Sequence, residues 1–327
     1  MPTKRVRHSC FFYNVRQNET QNFAPNYITV FLLHGIGQNG GPQGAMRDLD
    51  VALSTSAGPP TGMDLSRFVI DSGFNFGECA ASSSCALSRY GDSCSISAGG
   101  RSLAKYIANS NAPGGVVLIG YSMGGLIARD LLARNYDSVL TSHPVRGLIT
   151  LGTPHWGYPF LEIDTTGVFG AGARCPQLAR DMAGSWNPDN NLPNQPSAFL
   201  SSLTSSWSSS SYGGYWLAAA GTYCQSSPYR NLTTSSTGCL SEPPHSYSDG
   251  VVCADSATYS DFIPLVTPFS GRPTMTLSDA TFVHTTAAWG WGFAFVLCGA
   301  PASAPELFRP QAGTPIYNQI VQVLNGY

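Results

Sequence analysis

The sequence predicts an α/β chain with a mostly parallel central sheet and helices on both of its faces. Three observations carry that expectation. Apolar, β-branched runs recur as buried strands, at residues 27–33, 116–119 and 145–151. Met123, Ile127 and Leu131 stand four apart, which marks one face of a helix directly after the second run. The strand–helix–strand spacing then requires crossovers, and crossovers give parallel pairing.

The first strand, 27–33, runs into a loop containing His34, Gly35, Ile36, Gly37 and Gly40. Gly35, Gly37 and Gly40 spell G-x-G-x-x-G, the fingerprint of a dinucleotide site. That fingerprint needs a helix opening at once and an acidic residue about 20 positions on, at the end of the next strand. Gly41, Pro42 and Gly44 follow instead, and the next credible strand, 67–71, ends well past that distance. The competing reading is that the loop offers a backbone N–H to a site elsewhere. Residues 77–100 read as a Gly/Ser/Cys-rich loop with Cys79, Cys85 and Cys94, and a helix with Leu103, Tyr106 and Ile107 follows.

At 120–124 the chain reads Gly-Tyr-Ser-Met-Gly, a G-x-S-x-G pentapeptide with a buried strand before it and an amphipathic helix after it. In that context the motif forces a sharp strand-to-helix turn and holds the Ser122 hydroxyl out above the sheet. The helix N-terminus beneath it favours developing negative charge. Ser122 is the candidate nucleophile. The strand at 145–151 closes on Gly152-Thr153-Pro154-His155. Residues 157–214 are rich in Pro, Asn, Ser and Gly, with short helical stretches at 177–182 and 197–203. They are expected to form a cap over the site rather than an interdomain linker. Strands are expected again at 215–221 and 273–277, and Ile316, Ile320, Val321 and Leu324 define a closing amphipathic helix.

A serine hydroxyl is a poor nucleophile until a base takes its proton. The histidines after Ser122 are His143, His155, His245 and His284. His284, near a strand end, is the candidate base. Asp249, in a turn soon after a strand, is the candidate acid, with Asp255, Asp261 and Asp279 as rivals. The Met123 amide, next to the nucleophile, is a candidate oxyanion donor.

Four segments, in order, resemble the α/β-hydrolases and, within that fold, the bacterial lipases: the loop 34–37, the elbow around Ser122, the segment 151–155, and Asp249-Gly250-Val251-Val252 with His284 beyond. The resemblance implies a single catalytic domain over 27–327, preceded by an extension at 1–26 and carrying its lid or cap insertion at about 157–214. It also implies a Ser122–His284–Asp249 triad and a second oxyanion donor at the Ile36 amide. The implied activity is hydrolysis of carboxylic esters through an acyl-enzyme, on lipid substrates met in solution or at an oil–water interface. The elbow also resembles that of cutinase-like polyester hydrolases, and acyl transfer would use the same residues. The cysteine-rich loop at 77–100 and the long gap between Asp249 and His284 depart from the compact lipases and bear on pocket shape.

Composition narrows the partners. Hydrophobic residues make up 43% of the 327 and charged residues 11%, against about 25% charged in a typical soluble protein. A net charge of −2 gives no electrostatic case for nucleic acid or an acidic membrane. No apolar run approaches the roughly 20 residues of a transmembrane helix. Nine cysteines without a C-x-x-C pair favour disulfides in an oxidising compartment over zinc or thiol exchange; Cys224 with Cys239 and Cys253 with Cys298 are candidate pairs. The basic start (Lys4, Arg5, Arg7, His8) resembles that of a signal peptide, but no apolar core of adequate length follows, so secretion is expected from composition and cysteines alone. No metal-ligand spacing is present, and neither metal nor cofactor is expected.

Overall fold

The computed structural model describes residues 27–35, 45–54, 68–75, 95–110, 112, 114–157, 176–187, 192–208, 212–223, 247–249, 251–259, 273–284 and 303–327. The expected extension at 1–26 lies outside them.

Six strands form one parallel sheet: β1 (Ile28–Leu33), β2 (Phe68–Asp71), β3 (Val116–Tyr121), β4 (Val145–Leu151), β7 (Tyr215–Gly221) and β8 (Met275–Asp279), in the spatial order β2-β1-β3-β4-β7-β8. Every pairing is parallel. The strands are apolar on consecutive residues because both faces are covered. Alternate residues divide between two cores. Phe31, Leu33, Leu118, Leu148 and Trp216 enter one; Val30, Leu32, Val117, Ile119 and Leu217 enter the other.

Helix α1 (Arg47–Ser54) and the closing helix α8 (Pro315–Asn325) pack residues into the second core. In α8, Thr314 is the N-cap, its hydroxyl accepting from the Tyr317 amide, and Pro315 occupies the first turn where its missing N–H costs nothing.

Helices α2 (Ile96–Ala108) and α3 (Met123–Arg134) line the first core. Helix α2 begins within the stretch expected as loop, because Ser95 caps it by accepting from the Ala98 amide. Gly99 and Gly100 read as loop residues, yet Gly100 sits in the helix where a Cβ would strike the Asp130 carboxylate of α3. A 3₁₀ turn and the short helix α4 (Val139–Ser142) lead into β4.

After β4 come α5 (Pro176–Met182), an antiparallel hairpin of β5 (Gly184–Asn187) and β6 (Leu192–Pro196), and α6 (Ala198–Ser208). Helix α6, in the region expected as a cap, buries Leu200, Leu203 and Trp207 in the first core beside α3. The remainder of that region, 158–175 included, lies outside the described residues. A short helix α7 (Ala254–Thr258) packs beside β7. Cys253, just before it, is disulfide-bonded to a cysteine outside the described residues.

Several strand boundaries differ from the sequence reading. The strand expected at 27–33 is Ile28–Leu33, the one expected at 116–119 runs on to Tyr121, and the one expected at 273–277 runs Met275–Asp279; the strand expected at 67–71 is described from Phe68. Pro273 has no N–H to donate to the ladder, which accounts for the later start of β8.

Candidate active site

Ser122 is the single residue between β3 and α3, with φ 52° and ψ −122°. L residues rarely adopt that conformation, which costs about 1–3 kcal/mol and persists only where the surroundings over-determine it. They do so here. The Ser122 amide donates to the Leu151 carbonyl at 2.9 Å, and the Ser122 carbonyl accepts from the Gly125 amide at 3.1 Å. The flanking glycines answer a close approach of main chains. A Cβ on Gly120 would stand 2.5 Å from the Gly125 Cα, and one on Gly124 would run into the Leu33 carbonyl of β1. Met123, the first residue of α3, places its amide at the positive end of that helix, beside the serine.

His284 follows β8 by a tight turn. Its backbone is tied at three points: its amide donates to the Asp249 carbonyl at 2.8 Å, the Tyr121 hydroxyl donates to the His284 carbonyl at 2.9 Å, and its neighbour Val283 pairs with Glu306 in a parallel bridge. The ring is buried. Nδ1 lies 2.7 Å from Asp249 Oδ2 and Nε2 lies 3.1 Å from Ser122 Oγ. With Nδ1–H donating to the carboxylate, Nε2 carries the lone pair and the serine hydroxyl is the donor toward it.

Asp249 is fully buried. Its Oδ1 accepts from the Val251 amide at 2.9 Å and the Val252 amide at 2.7 Å, which fixes the carboxylate plane and leaves Oδ2 for the imidazole. Gly152, at the end of β4, has φ 56°; a Cβ there would stand 2.9 Å from Asp249 Oδ2 and 3.0 Å from His284 Nδ1. The structure therefore brings Ser122, His284 and Asp249 into one hydrogen-bonded chain at the carboxyl end of the sheet, with Met123 beside them. Ile36 lies outside the described residues; Gly35 is the last one described before it.

The rival residues are placed elsewhere or not described. The Asp279 carboxylate accepts from the Thr281 amide and hydroxyl at 2.9 and 2.6 Å. Asp255 is in α7, and Asp261 and His245 lie outside the described residues. His143 sits in its turn beside the Ser142 hydroxyl at 2.9 Å. His34 is buried and turns Nδ1 to the Gly35 carbonyl at 2.8 Å, the geometry of a loop-fixing residue, and burial lowers its pKa.

His155 takes part in a buried polar network. Its Nδ1 accepts from Arg129 Nη1 at 3.2 Å, and its Nε2 lies 3.0 Å from the Thr150 hydroxyl. Burial, then the Arg129 charge, hold its pKa well below the ordinary value of 6.5. The Arg129 guanidinium, fully buried in α3, lies against the rings of Trp207, Trp216 and Tyr259 at 5.4, 5.4 and 5.1 Å. This network joins α3, α6, β7 and the end of α7.

Sequence reasoning missed Tyr121, Gly152 and the 304–308 segment as parts of the site's surroundings. Tyr121 occupies the variable position of the pentapeptide. Gly152 has meaning only through contacts with residues far along the chain. Among the described residues no cluster of His, Cys, Asp and Glu could hold a metal ion, and no helix is long and apolar enough to cross a membrane.

Comparison with known proteins gives the following. The model of the PGAP1-like alpha/beta domain family matches residues 100–185, which hold most of α2, the serine elbow and β4. No curated protein matches the sequence. Among solved structures, phospholipase PlaB from Legionella pneumophila, in complex with thio-NAD, superposes with a TM-score of 0.52 at 13% identity. The alignment covers 91% of this chain and 58% of that one, so the chain spans less than two thirds of PlaB. A second PlaB structure gives 0.51 at 13% identity, covering 91% and 60%. The mature lipase BlEst2 from Bacillus licheniformis gives 0.46 at 13% identity, covering 80% of this chain and 89% of that one. The order of strands, the serine elbow and the two PlaB superpositions give the chain the α/β-hydrolase fold.

Proposed function

We propose that this chain is a secreted serine carboxylester hydrolase acting on acyl esters of lipid type. The observation that supports it most is the chain of bonds from Ser122 Oγ through His284 (3.1 Å) to Asp249 (2.7 Å), built on a strained elbow. In this reading His284 Nε2 takes the Ser122 proton as Oγ attacks the ester carbonyl. The carbonyl π bond opens to an oxyanion, which the Met123 and Ile36 amides receive, each worth about 3–4 kcal/mol in the barrier. The imidazolium returns its proton to the departing alkoxide, leaving an acyl-Ser122. Water, deprotonated by the same Nε2, then releases the acid and restores the serine. Asp249 holds the Nδ1 tautomer throughout and offsets the imidazolium charge. The disulfide at Cys253 supports an oxidising compartment.

The test is a panel of p-nitrophenyl esters from short to long acyl chains, beside an emulsified triglyceride and a soluble polyester, with Ser122→Ala as control. The expected result is ester cleavage in the wild type, and a loss in Ser122→Ala of about 10⁶ in kcat. Undiminished cleavage by Ser122→Ala would overturn the reading. Preference for the triglyceride over short esters fits a lipase; preference for the polyester would move the substrate to the cutinase-like alternative.

A further inference from the structure

We propose that Tyr121 is a positioning residue for the acyl-transfer site: its hydroxyl pins the His284 main chain and its ring backs the imidazole, so that Nε2 stays on Ser122 Oγ while the proton moves. The inference rests on the proposed roles of Ser122 and His284 and adds a residue to them.

Tyr121 is the last residue of β3, and its side chain enters the second core, where it is 2% exposed. An apolar residue would fill that place without a polar atom to satisfy. A buried phenol is costly unless it is bonded, and this one donates to the His284 carbonyl at 2.9 Å. Its ring centroid lies 4.8 Å from the His284 ring, tilted by 38°, and Phe308 lies 5.0 Å from it in turn. Two rings in a row, Tyr121 and Phe308, thus back the imidazole, and the nucleophile is the residue after Tyr121 along the chain. One strand terminus therefore sets both the position of the Oγ and that of its base. Burial, with Asp249 and Glu306 nearby, raises the phenol pKa well above its ordinary value, so the hydroxyl remains a donor across the working range.

The same core contains a matched control. Tyr317 of α8 is buried there and donates to a backbone carbonyl, that of Ala52, at 3.0 Å. Both phenols hold main chain; only that of Tyr121 holds the main chain of His284.

The experiment compares Tyr121→Phe and Tyr317→Phe, each of which keeps the ring and removes the hydroxyl. It measures kcat and KM on a soluble p-nitrophenyl ester, thermal midpoints, and exchange of the His284 Nδ1 proton by NMR. The two variants are expected to lose similar stability. Tyr121→Phe is expected to lose about 10- to 100-fold in kcat with KM little changed, the scale of a base displaced by a fraction of an ångström to 1 Å. Its Nδ1 proton should exchange at least about tenfold faster, and Tyr317→Phe should match the wild type in both readouts. A kcat for Tyr121→Phe within twofold of the wild type, or an equal kcat loss in both variants, overturns the inference. Should Tyr121→Phe not fold, an equal exchange rate of the Nδ1 proton in the wild type and in Phe308→Leu, which removes only the ring behind Tyr121, overturns it. A wild type whose Ser122 does not react with a fluorophosphonate fails the proposed function itself; a reactive Ser122 with an indifferent Tyr121→Phe fails this inference alone.

Discussion

Ser122, Asp249 and His284 stand 127 and 35 residues apart along the chain and are joined by bonds of 3.1 and 2.7 Å. Each is placed by a different local device: a strained elbow, a turn whose carboxylate takes two amides, and a loop anchored on the Tyr121 hydroxyl. Gly152 sits among them, and Gly152→Ala tests how little room they leave. The added methyl must enter a φ of 56° and stand 2.9 Å from Asp249 Oδ2 and 3.0 Å from His284 Nδ1. About 1–2 kcal/mol of stability should be lost through backbone strain alone. A loss of activity of about 10²-fold should accompany it if the pair is displaced by 1 Å. A melt and a kcat measurement on the same sample read both. Asp249→Asn is expected to cost about 10⁴ in kcat while leaving the fold intact, because it presents the wrong partner to Nδ1.

At this scale the sequence was informative wherever chemistry is carried by a short motif. Ser122 was nameable from its pentapeptide with a strand before and a helix after; Asp249 and His284 followed from chain order and from turns after strands. Tyr121, Gly152 and Arg129 were not nameable as site residues. The significance of each comes from a partner 97 to 163 positions away, or from three rings on separate elements, and no local pattern encodes such a meeting.

Among the elements, the strands of the central sheet were the most legible, since burial on both faces leaves a continuous apolar run. β4 and β7 begin and end where the pattern places them. The start of α2 was obscured by Gly99 and Gly100; Gly100 packs closely on Asp130 of α3 rather than making a turn. The hairpin β5–β6 was hidden by Pro193 and Pro196, residue types that read against a strand. Helix α6 lies in the region expected as a cap, and its Leu200, Leu203 and Trp207 are buried in the first core. Helix α8 shows how an amphipathic stripe and a cap combine. Ile320, fully buried in the second core, should cost about 2–5 kcal/mol as Ile320→Ala. Thr314→Ala should cost about 1 kcal/mol through the lost cap. Urea titrations with an unchanged m-value would separate these two effects; a loss for Thr314→Ala equal to that for Ile320→Ala would contradict the packing account.

For the molecule as a whole, the sheet order places β3 and β4 at the centre, so the elbow opens at the middle of the carboxyl edge. That is where an open parallel sheet leaves a crevice for a ligand. Two histidines outside the Ser122–His284–Asp249 chain link stability to pH. His34 and His155 are both buried, and burial holds their pKa values below 6.5 in the folded state. The unfolded chain therefore binds more protons below pH 6.5. Their contribution is fully present above that pH and is lost as the pH falls from about 6.5 toward the folded-state values. The thermal midpoint should decline on acidification through that window, and His155→Gln should flatten the decline; an unchanged slope in the variant would show that His155 does not carry it.

The most direct test of the catalytic account is covalent. The wild type, Ser122→Ala and His284→Ala are incubated with a fluorophosphonate, and the adduct is located by peptide mass spectrometry. The account predicts one adduct, on the peptide containing Ser122, absent from Ser122→Ala and formed far more slowly in His284→Ala. An adduct on another serine, or a wild type that forms none while still cleaving esters, would contradict it.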